Sequence, residues 1–88
     1  MSAEDLTTKY IIAMEKVLSQ IKQIKGPITI NDECINEVFG YVKAYLDDAK
    51  YFSAQKKFET SLVSIAYCEG LLDALKLIGA AKNPQSTQ

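Results

Sequence analysis

The stretch CINEVFGYVKAYLDDAKYF, residues 34–52, predicts the fold class of this protein. Its apolar side chains recur at alternating intervals of three and four residues: Ile35, Val38, Val42, Tyr45, Ala49 and Phe52. This spacing places them along one face of an α-helix, and polar side chains occupy the opposite face. Asn31 or Thr29 is suited to cap the N-terminus of that helix. We therefore expect an amphipathic helix over residues 32–52.

Two further helices are expected on either side of it. The first, over residues 5–25, ends at Gly26, which can adopt a left-handed conformation, and at Pro27, which cannot continue the hydrogen-bond ladder. The third runs over residues 57–78 and is closed by Gly79. The apolar stripe of the first helix consists of Leu6, Tyr10, Met14, Val17, Leu18, Ile21 and Ile24.

The break between the second and third helices is the segment SAQKK, residues 53–57, which contains neither proline nor glycine. It predicts a tight turn, and one long continuous helix is the alternative. Three helices of about 20 residues joined by short connections pack as antiparallel neighbours. We therefore expect an all-α protein, an up-down-up antiparallel three-helix bundle that forms a single domain over residues 1–81. A disordered polar tail is expected over residues 82–88.

The composition excludes most familiar catalytic chemistry. The chain of 88 residues has ten lysines and no histidine or arginine, and its formal net charge is −1. Without histidine there is no imidazole base at neutral pH, and without arginine there is no rigid bidentate clamp for phosphate or carboxylate. No block of like charges would attract a nucleic acid. We expect no catalytic residue, no cofactor, no metal and no nucleic-acid partner.

The N-terminal stretch and the two cysteines bear on location and redox state. The sequence MSAEDLTTKY is acidic, and no apolar run approaches the roughly 20 residues that span a bilayer. A cytoplasmic protein with no membrane partner is expected.

Cys34 and Cys68 are predicted to be small buried residues. If the chain folds back about residue 55, Cys34 lies opposite residue 76. Cys68 is eight residues from that position, or roughly 12 Å along the axis of the third helix, so the two cysteines are too far apart for a disulfide.

The stretch AYCEGLLDAL in the third helix contains the candidate packing or interaction site. A glycine inside a helix costs about 1 kcal/mol relative to alanine, so another helix or a large side chain such as Tyr10 or Met14 is expected to pack closely against it. Tyr67 belongs either to a recognition surface or to the edge of the core. The small residues that form the predicted groove are Ala66, Gly70 and Ala74.

Glu69 and Asp73 lie four residues apart on the same helix, where like charges repel unless a cation or a proton is shared. One interpretation is half of a divalent-metal site completed by carboxylates of the second helix, although Asp47 there points away from the apolar stripe. Another is that both carboxylates face solvent on a narrow polar strip of the helix, where Lys76 neutralises part of their negative charge. A third is a partly buried Glu69 that accepts a hydrogen bond from a tyrosine.

Two segments of the chain resemble a known family. The first is the helix end AKYF, residues 49–52; the second contributes Ser64, Tyr67, Glu69, Gly70, Leu71, Leu72, Asp73 and Ala74. Over residues 44–79 this pattern resembles an archaeal family of short helical proteins known as domain of unknown function three-five-seven. The resemblance implies a compact helical bundle in an archaeal cytoplasm and no assigned activity. Segments similar to this family are sometimes attached to nucleotidyltransferase-like enzymes, which would suit an accessory role. The family's turn tends to contain glycine and aspartate, where this chain has SAQKK.

These observations predict a non-catalytic protein–protein interaction or accessory module. Homo-oligomerisation through the third helix is one form of it, because the C-terminal half of that helix is apolar almost all round. The alternative is a metal-dependent enzyme that acts on a nucleotide through the cluster of glutamate and aspartate residues.

Overall fold

The computed structural model describes residues 2–84, and these residues form three α-helices and no β-strand. Helix α1 spans Ala3–Gln20, α2 spans Asp32–Ala54 and α3 spans Phe58–Leu77. The all-α class predicted from the sequence is therefore confirmed. Part of the predicted polar tail, residues 85–88, lies outside the described residues. None of the described helices combines the length and the apolar composition that crossing a bilayer requires.

The beginning of α2 agrees with its sequence pattern. The side chain of Asn31 accepts a hydrogen bond from the backbone N–H of Cys34 at 2.8 Å, so Asn31 and not Thr29 is the N-cap. Helix α1 begins in the same way at Ser2, whose hydroxyl accepts from the N–H of Asp5 at 3.1 Å. It ends at Gln20, five residues earlier than the apolar pattern suggests, because Ile21 already has extended backbone angles.

A Schellman motif ends α2 and starts the turn into α3. The N–H of Lys57 donates to the carbonyl of Phe52, and the N–H of Lys56 donates to the carbonyl of Ser53, both at 2.9 Å. Lys56 has φ 62°, the left-handed conformation that this motif requires and that usually belongs to glycine. The polar segment therefore forms a tight turn, and α2 and α3 are not one continuous helix.

Helices α2 and α3 pack against each other in antiparallel orientation. The hydroxyl of Ser61 donates to the carbonyl of Ala49 at 2.7 Å, and the thiol of Cys68 donates to the carbonyl of Val42 at 3.3 Å. These two contacts lie seven residues apart on each helix, and both agree with a chain that folds back about residue 55. Small side chains at the contacts allow the two backbones to approach closely. The buried residues of this hairpin are Val42, Ala49, Ser61, Ser64, Cys68 and Leu75.

Helix α1 packs against neither α2 nor α3 in the described part of the chain, and none of its residues is buried. Large apolar side chains such as Leu18 therefore face solvent, with 74% of its surface exposed. The radius of gyration is 16.5 Å, against about 12 Å for a compact domain of this length. The packed part of the structure is the α2–α3 hairpin, and the up-down-up arrangement of three packed helices stays a prediction.

Candidate functional site

Helix α3 packs on α2 through one of its two apolar faces. The residues of this inner face recur at intervals of three and four: Ser61, Ser64, Cys68, Leu71 and Leu75. Three of them are small or polar, and yet four of the five are buried. Close packing of small side chains, together with the two hydrogen bonds to backbone carbonyls of α2, therefore holds the hairpin together.

A second apolar face of α3 has the same spacing and lies away from α2. We call it the outer seam, and it consists of Val63, Tyr67, Gly70, Ala74 and Leu77. All five residues are exposed, Val63 at 69% and Leu77 at 87%. Intervals of four and three residues are the pattern by which one helix packs lengthwise on another. Apart from the ring of Tyr45 on α2, which contacts Tyr67, no described element of the chain packs on the outer seam.

The structure places all six candidate residues predicted from the sequence on exposed positions of α3: Ala66, Tyr67, Glu69, Gly70, Asp73 and Ala74. Tyr67, Gly70 and Ala74 belong to the outer seam, and the other three lie beside it. At Gly70 an added Cβ would meet nothing within 4 Å among the described residues. The predicted neighbours Tyr10 and Met14 are on α1, which lies elsewhere, so the packing role of this groove stays a prediction.

The acidic residues of α3 form no compact cluster. The ammonium group of Lys76 lies 3.5 Å from a carboxylate oxygen of Asp73, and both residues are exposed, so this ion pair contributes little to stability. Glu69 is exposed as well. Within residues 2–84 there is no group of three or more aspartate, glutamate or cysteine side chains that could hold a metal ion.

The ring of Tyr67, a member of the outer seam, packs against the ring of Tyr45 on α2. The rings of Tyr67 and Tyr45 lie with their centroids 4.3 Å apart and their planes at 34°, which is a tilted stack. Such a contact restricts the rotamer of Tyr67 while leaving 49% of its surface exposed. Tyr67 therefore contacts α2 on one side, and about half of its surface remains exposed on the outer seam.

The two cysteines differ in their surroundings. Cys68 is buried, as the sequence predicts, and both thiols are free. The expected burial of Cys34 is wrong, because this residue is exposed. Cys34 lies in the first turn of α2, beside the end of α3, and no third helix covers that end of the hairpin among the described residues.

A shallow groove of about 450 Å³ runs along one side of the hairpin near the turn. Its lining includes Leu46 and Lys50 of α2 and Ser61 and Ile65 of α3. Leu46 is 44% exposed and Ile65 36%. The groove is therefore a second incompletely covered apolar surface, on a different side of α3 from the outer seam.

Sequence reasoning identified the middle of the outer seam but not its ends. Val63 and Leu77 were not among the candidate residues, although they lie seven residues on either side of Gly70. The signal that reveals them is a second run of alternating four- and three-residue intervals on α3, interleaved with the run that packs on α2.

Comparison with known proteins identified a family. The model of a family described as "Protein of unknown function (DUF357)" matches residues 9–81. No match was found among curated proteins or among solved structures.

Proposed function

The chain belongs to the DUF357 family, and on that premise we propose that it is a non-catalytic helical interaction module that associates with protein surfaces through α3. The observation that carries this proposal is the second apolar face of α3. That helix has apolar side chains on two sides, α2 covers one of them, and the outer seam is exposed. Exposed apolar surface of this kind is typical of a site where another protein packs.

The three-helix bundle belongs to the same proposal. An isolated helix of 18 residues is marginal in water, so α1 needs an apolar surface to pack on. The groove between α2 and α3 offers such a surface near Leu46 and Ile65. The linker over residues 21–31 is long enough for α1 to reach that groove, since 11 residues span up to about 36 Å. Closure of α1 over the groove would give the up-down-up bundle.

The residue types present support a role without catalysis. The chain has no histidine and no arginine, and its acidic residues on α3 are solvated. The alternative, a metal-dependent enzyme acting on a nucleotide, rests on Glu69 and Asp73. Among residues 2–84 no group of three or more aspartate, glutamate or cysteine side chains is arranged to hold a metal ion, so no observation there favours this alternative. A cytoplasmic location is part of our proposal on the grounds of composition and is tested by cell fractionation.

Sedimentation equilibrium over a series of protein concentrations tests the proposal. We expect a dimer or a larger oligomer at high concentration and a weaker association when Leu77 is replaced by glutamate. The matched control is Tyr51→Glu, which introduces the same charge at an exposed aromatic residue on α2. A monomer at all concentrations would contradict self-association, and an equal effect of the two substitutions would contradict the assignment to α3.

A further inference from the structure

We propose that α1 is a strap that closes into the groove between α2 and α3, antiparallel to α2, with ion pairs along both rims of the groove. This inference rests on the bundle included in the proposed function and adds the face, the orientation and the register of α1. The groove is lined by Leu46 and Lys50 of α2 and by Ser61 and Ile65 of α3.

Helix α1 is the occupant because it has an apolar face with nothing packed on it. None of its residues is buried, and it contacts neither of the other two helices. The groove offers the matching surface, since Leu46 and Ile65 are exposed on its two walls. Each apolar side chain that leaves water on closure favours the closed state. The stripe of α1 that would enter the groove consists of Leu6, Tyr10, Met14 and Val17.

The two rims of the groove carry opposite net charge. Residues four and seven positions apart share one side of a helix, so the rim of α2 extends from Lys50 and the rim of α3 from Ile65. The α2 rim has two lysines and one aspartate, whereas the α3 rim has two carboxylates and one lysine. All six side chains belong to exposed residues: Lys43, Asp47 and Lys50 on α2, and Glu69, Asp73 and Lys76 on α3.

The apolar stripe of α1 is flanked by charges of opposite sign. Glu4 and Glu15 lie about three turns apart on one flank, roughly 120° from the centre of the stripe. Lys9 and Lys16 lie about two turns apart on the other flank, at a similar angle. Asp5, in the first turn, is the acidic residue on the lysine flank. Both flanks of α1 can therefore pair with a rim of the groove.

The handedness of the helices determines which flank faces which rim. Because α-helices are right-handed, an α1 that runs antiparallel to α2 turns its glutamate flank towards α2 and its lysine flank towards α3. The two glutamates then lie beside the net positive rim, and Lys16 lies beside the net negative rim. If α1 ran parallel to α2, like charges would lie side by side along both rims, which is unfavourable. Charge therefore selects the antiparallel orientation.

The hydrogen bonds between α2 and α3 determine which residues of the hairpin lie level with each other. They join Ser61 to Ala49 and Cys68 to Val42. Because the two helices are antiparallel, one step forward on α3 corresponds to one step back on α2. Thr60 of α3 is therefore level with Lys50 of α2, and this level serves below as a reference.

Three ion pairs then define the register of α1. The positions of α1 that would align the individual pairs differ by no more than about 6 Å along the axis, which long lysine side chains span. In the intermediate register Leu6 lies level with Lys50 and Tyr10 lies level with Leu46, so the apolar stripe covers the groove. The three pairs are Glu4 with Lys50, Glu15 with Lys43, and Lys16 with Glu69.

Intramolecular disulfide formation tests the face and the orientation in one experiment. The native thiols are first replaced by Cys34→Ser and Cys68→Ser, the second of which keeps a donor for the carbonyl of Val42. Circular dichroism verifies that this background keeps its helix content. Each double variant is oxidised with diamide at a concentration where the chain is monomeric, and the loss of free thiols is followed by mass spectrometry. The three double variants are Leu6→Cys with Lys50→Cys, Val17→Cys with Lys50→Cys, and Leu6→Cys with Thr60→Cys.

We expect Leu6→Cys with Lys50→Cys to form its disulfide at least about tenfold faster than the other two, because this pair lies level and on one side of the hairpin. Faster reaction of Val17→Cys with Lys50→Cys would indicate the opposite orientation. Thr60 lies seven residues before Tyr67, so faster reaction of its pair would place α1 on the outer seam. Equal rates in all three, as in urea, would show that α1 does not dock. Each of these three results would overturn the inference.

Charge reversal tests the rim pairs independently. In the variant with Leu6→Cys and Lys50→Cys, we expect Lys43→Glu to slow disulfide formation by about twofold or more and the addition of Glu15→Lys to restore the rate. The matched control is Asp48→Lys, which changes the charge by the same amount on the side of α2 away from the groove. An unchanged rate with Lys43→Glu, or no recovery with Glu15→Lys, would contradict the register.

Failure of this inference is distinguishable from failure of the proposed function. Sedimentation of the wild-type chain decides whether the protein associates through α3, and the disulfide rates in the monomer decide whether α1 docks. An associating chain with three equal rates would overturn the strap alone. A chain that is monomeric at all concentrations and shows the expected rates would overturn self-association alone.

Discussion

The turn between α2 and α3 contains a strained residue whose effect on stability can be measured. Lys56 has φ 62° because the Schellman motif at the end of α2 needs a left-handed residue there. For a residue with a Cβ this conformation costs about 1 to 2 kcal/mol. Glycine removes the steric part of that cost. Its greater conformational freedom in the unfolded chain lowers stability by about 0.5 to 1 kcal/mol.

We therefore predict that Lys56→Gly raises the free energy of unfolding by about 0.5 to 1 kcal/mol. For a domain of this size the corresponding rise in melting temperature is about 2 to 8 °C. The assay is urea and thermal unfolding followed by circular dichroism, at a protein concentration low enough to keep the chain monomeric.

Two control variants separate the backbone effect from the loss of the lysine. Lys56→Ala removes the charged side chain but keeps the Cβ, so it is expected to stay within about 0.5 kcal/mol of the wild type. Lys57→Gly changes the N-cap of α3, whose φ is −94° and whose side chain makes no capping hydrogen bond, and it is expected to stay within about 0.5 kcal/mol of the wild type. If Lys56→Gly is no more stable than Lys56→Ala, the left-handed turn is not the reason for the difference and the reasoning is refuted.

Three further predictions concern the hairpin. Leu75→Ala should lower the free energy of unfolding by about 2 to 5 kcal/mol in urea titrations, because Leu75 is 4% exposed; a loss below 1 kcal/mol would argue against the α2–α3 packing. Asn31→Ala should cost about 1 kcal/mol in the same assay through loss of the cap, and Asn31→Ser should restore most of it. In the native protein one thiol, Cys34, should react rapidly with a thiol reagent and Cys68 only after unfolding; two rapid thiols would show that the hairpin opens readily.

The helices themselves could be predicted because the signals that form them are local. The periodic stripe of α2, the cap at Asn31 and the polar turn before α3 depend on residues a few positions apart. The left-handed residue in the turn could not be predicted in the same way. The segment has no glycine, and only the hydrogen bonds around Lys56 show which position takes the positive φ.

The candidate site was predicted in part. The sequence identified Tyr67, Gly70 and Ala74 as members of a small-residue groove on α3, and the structure places them on one exposed face. The neighbour expected for that groove, another helix or a large side chain such as Tyr10 or Met14, stays a prediction, because it depends on where a separate helix packs. The exposure of Cys34 was not predicted either, because burial depends on the tertiary packing around that end of the hairpin and not on local sequence.

The sequence by itself determined that this protein is all-helical, where α2 and α3 lie, and that its residue types exclude imidazole and guanidinium chemistry. Only the tertiary structure decided which of two interleaved apolar faces of α3 packs on α2. Both faces have the same three- and four-residue intervals, so periodicity cannot distinguish them. The small side chains of Ser61 and Cys68 decide the choice, because they let the helices come close enough to bond to backbone carbonyls of α2, and this leaves Val63, Tyr67 and Leu77 exposed.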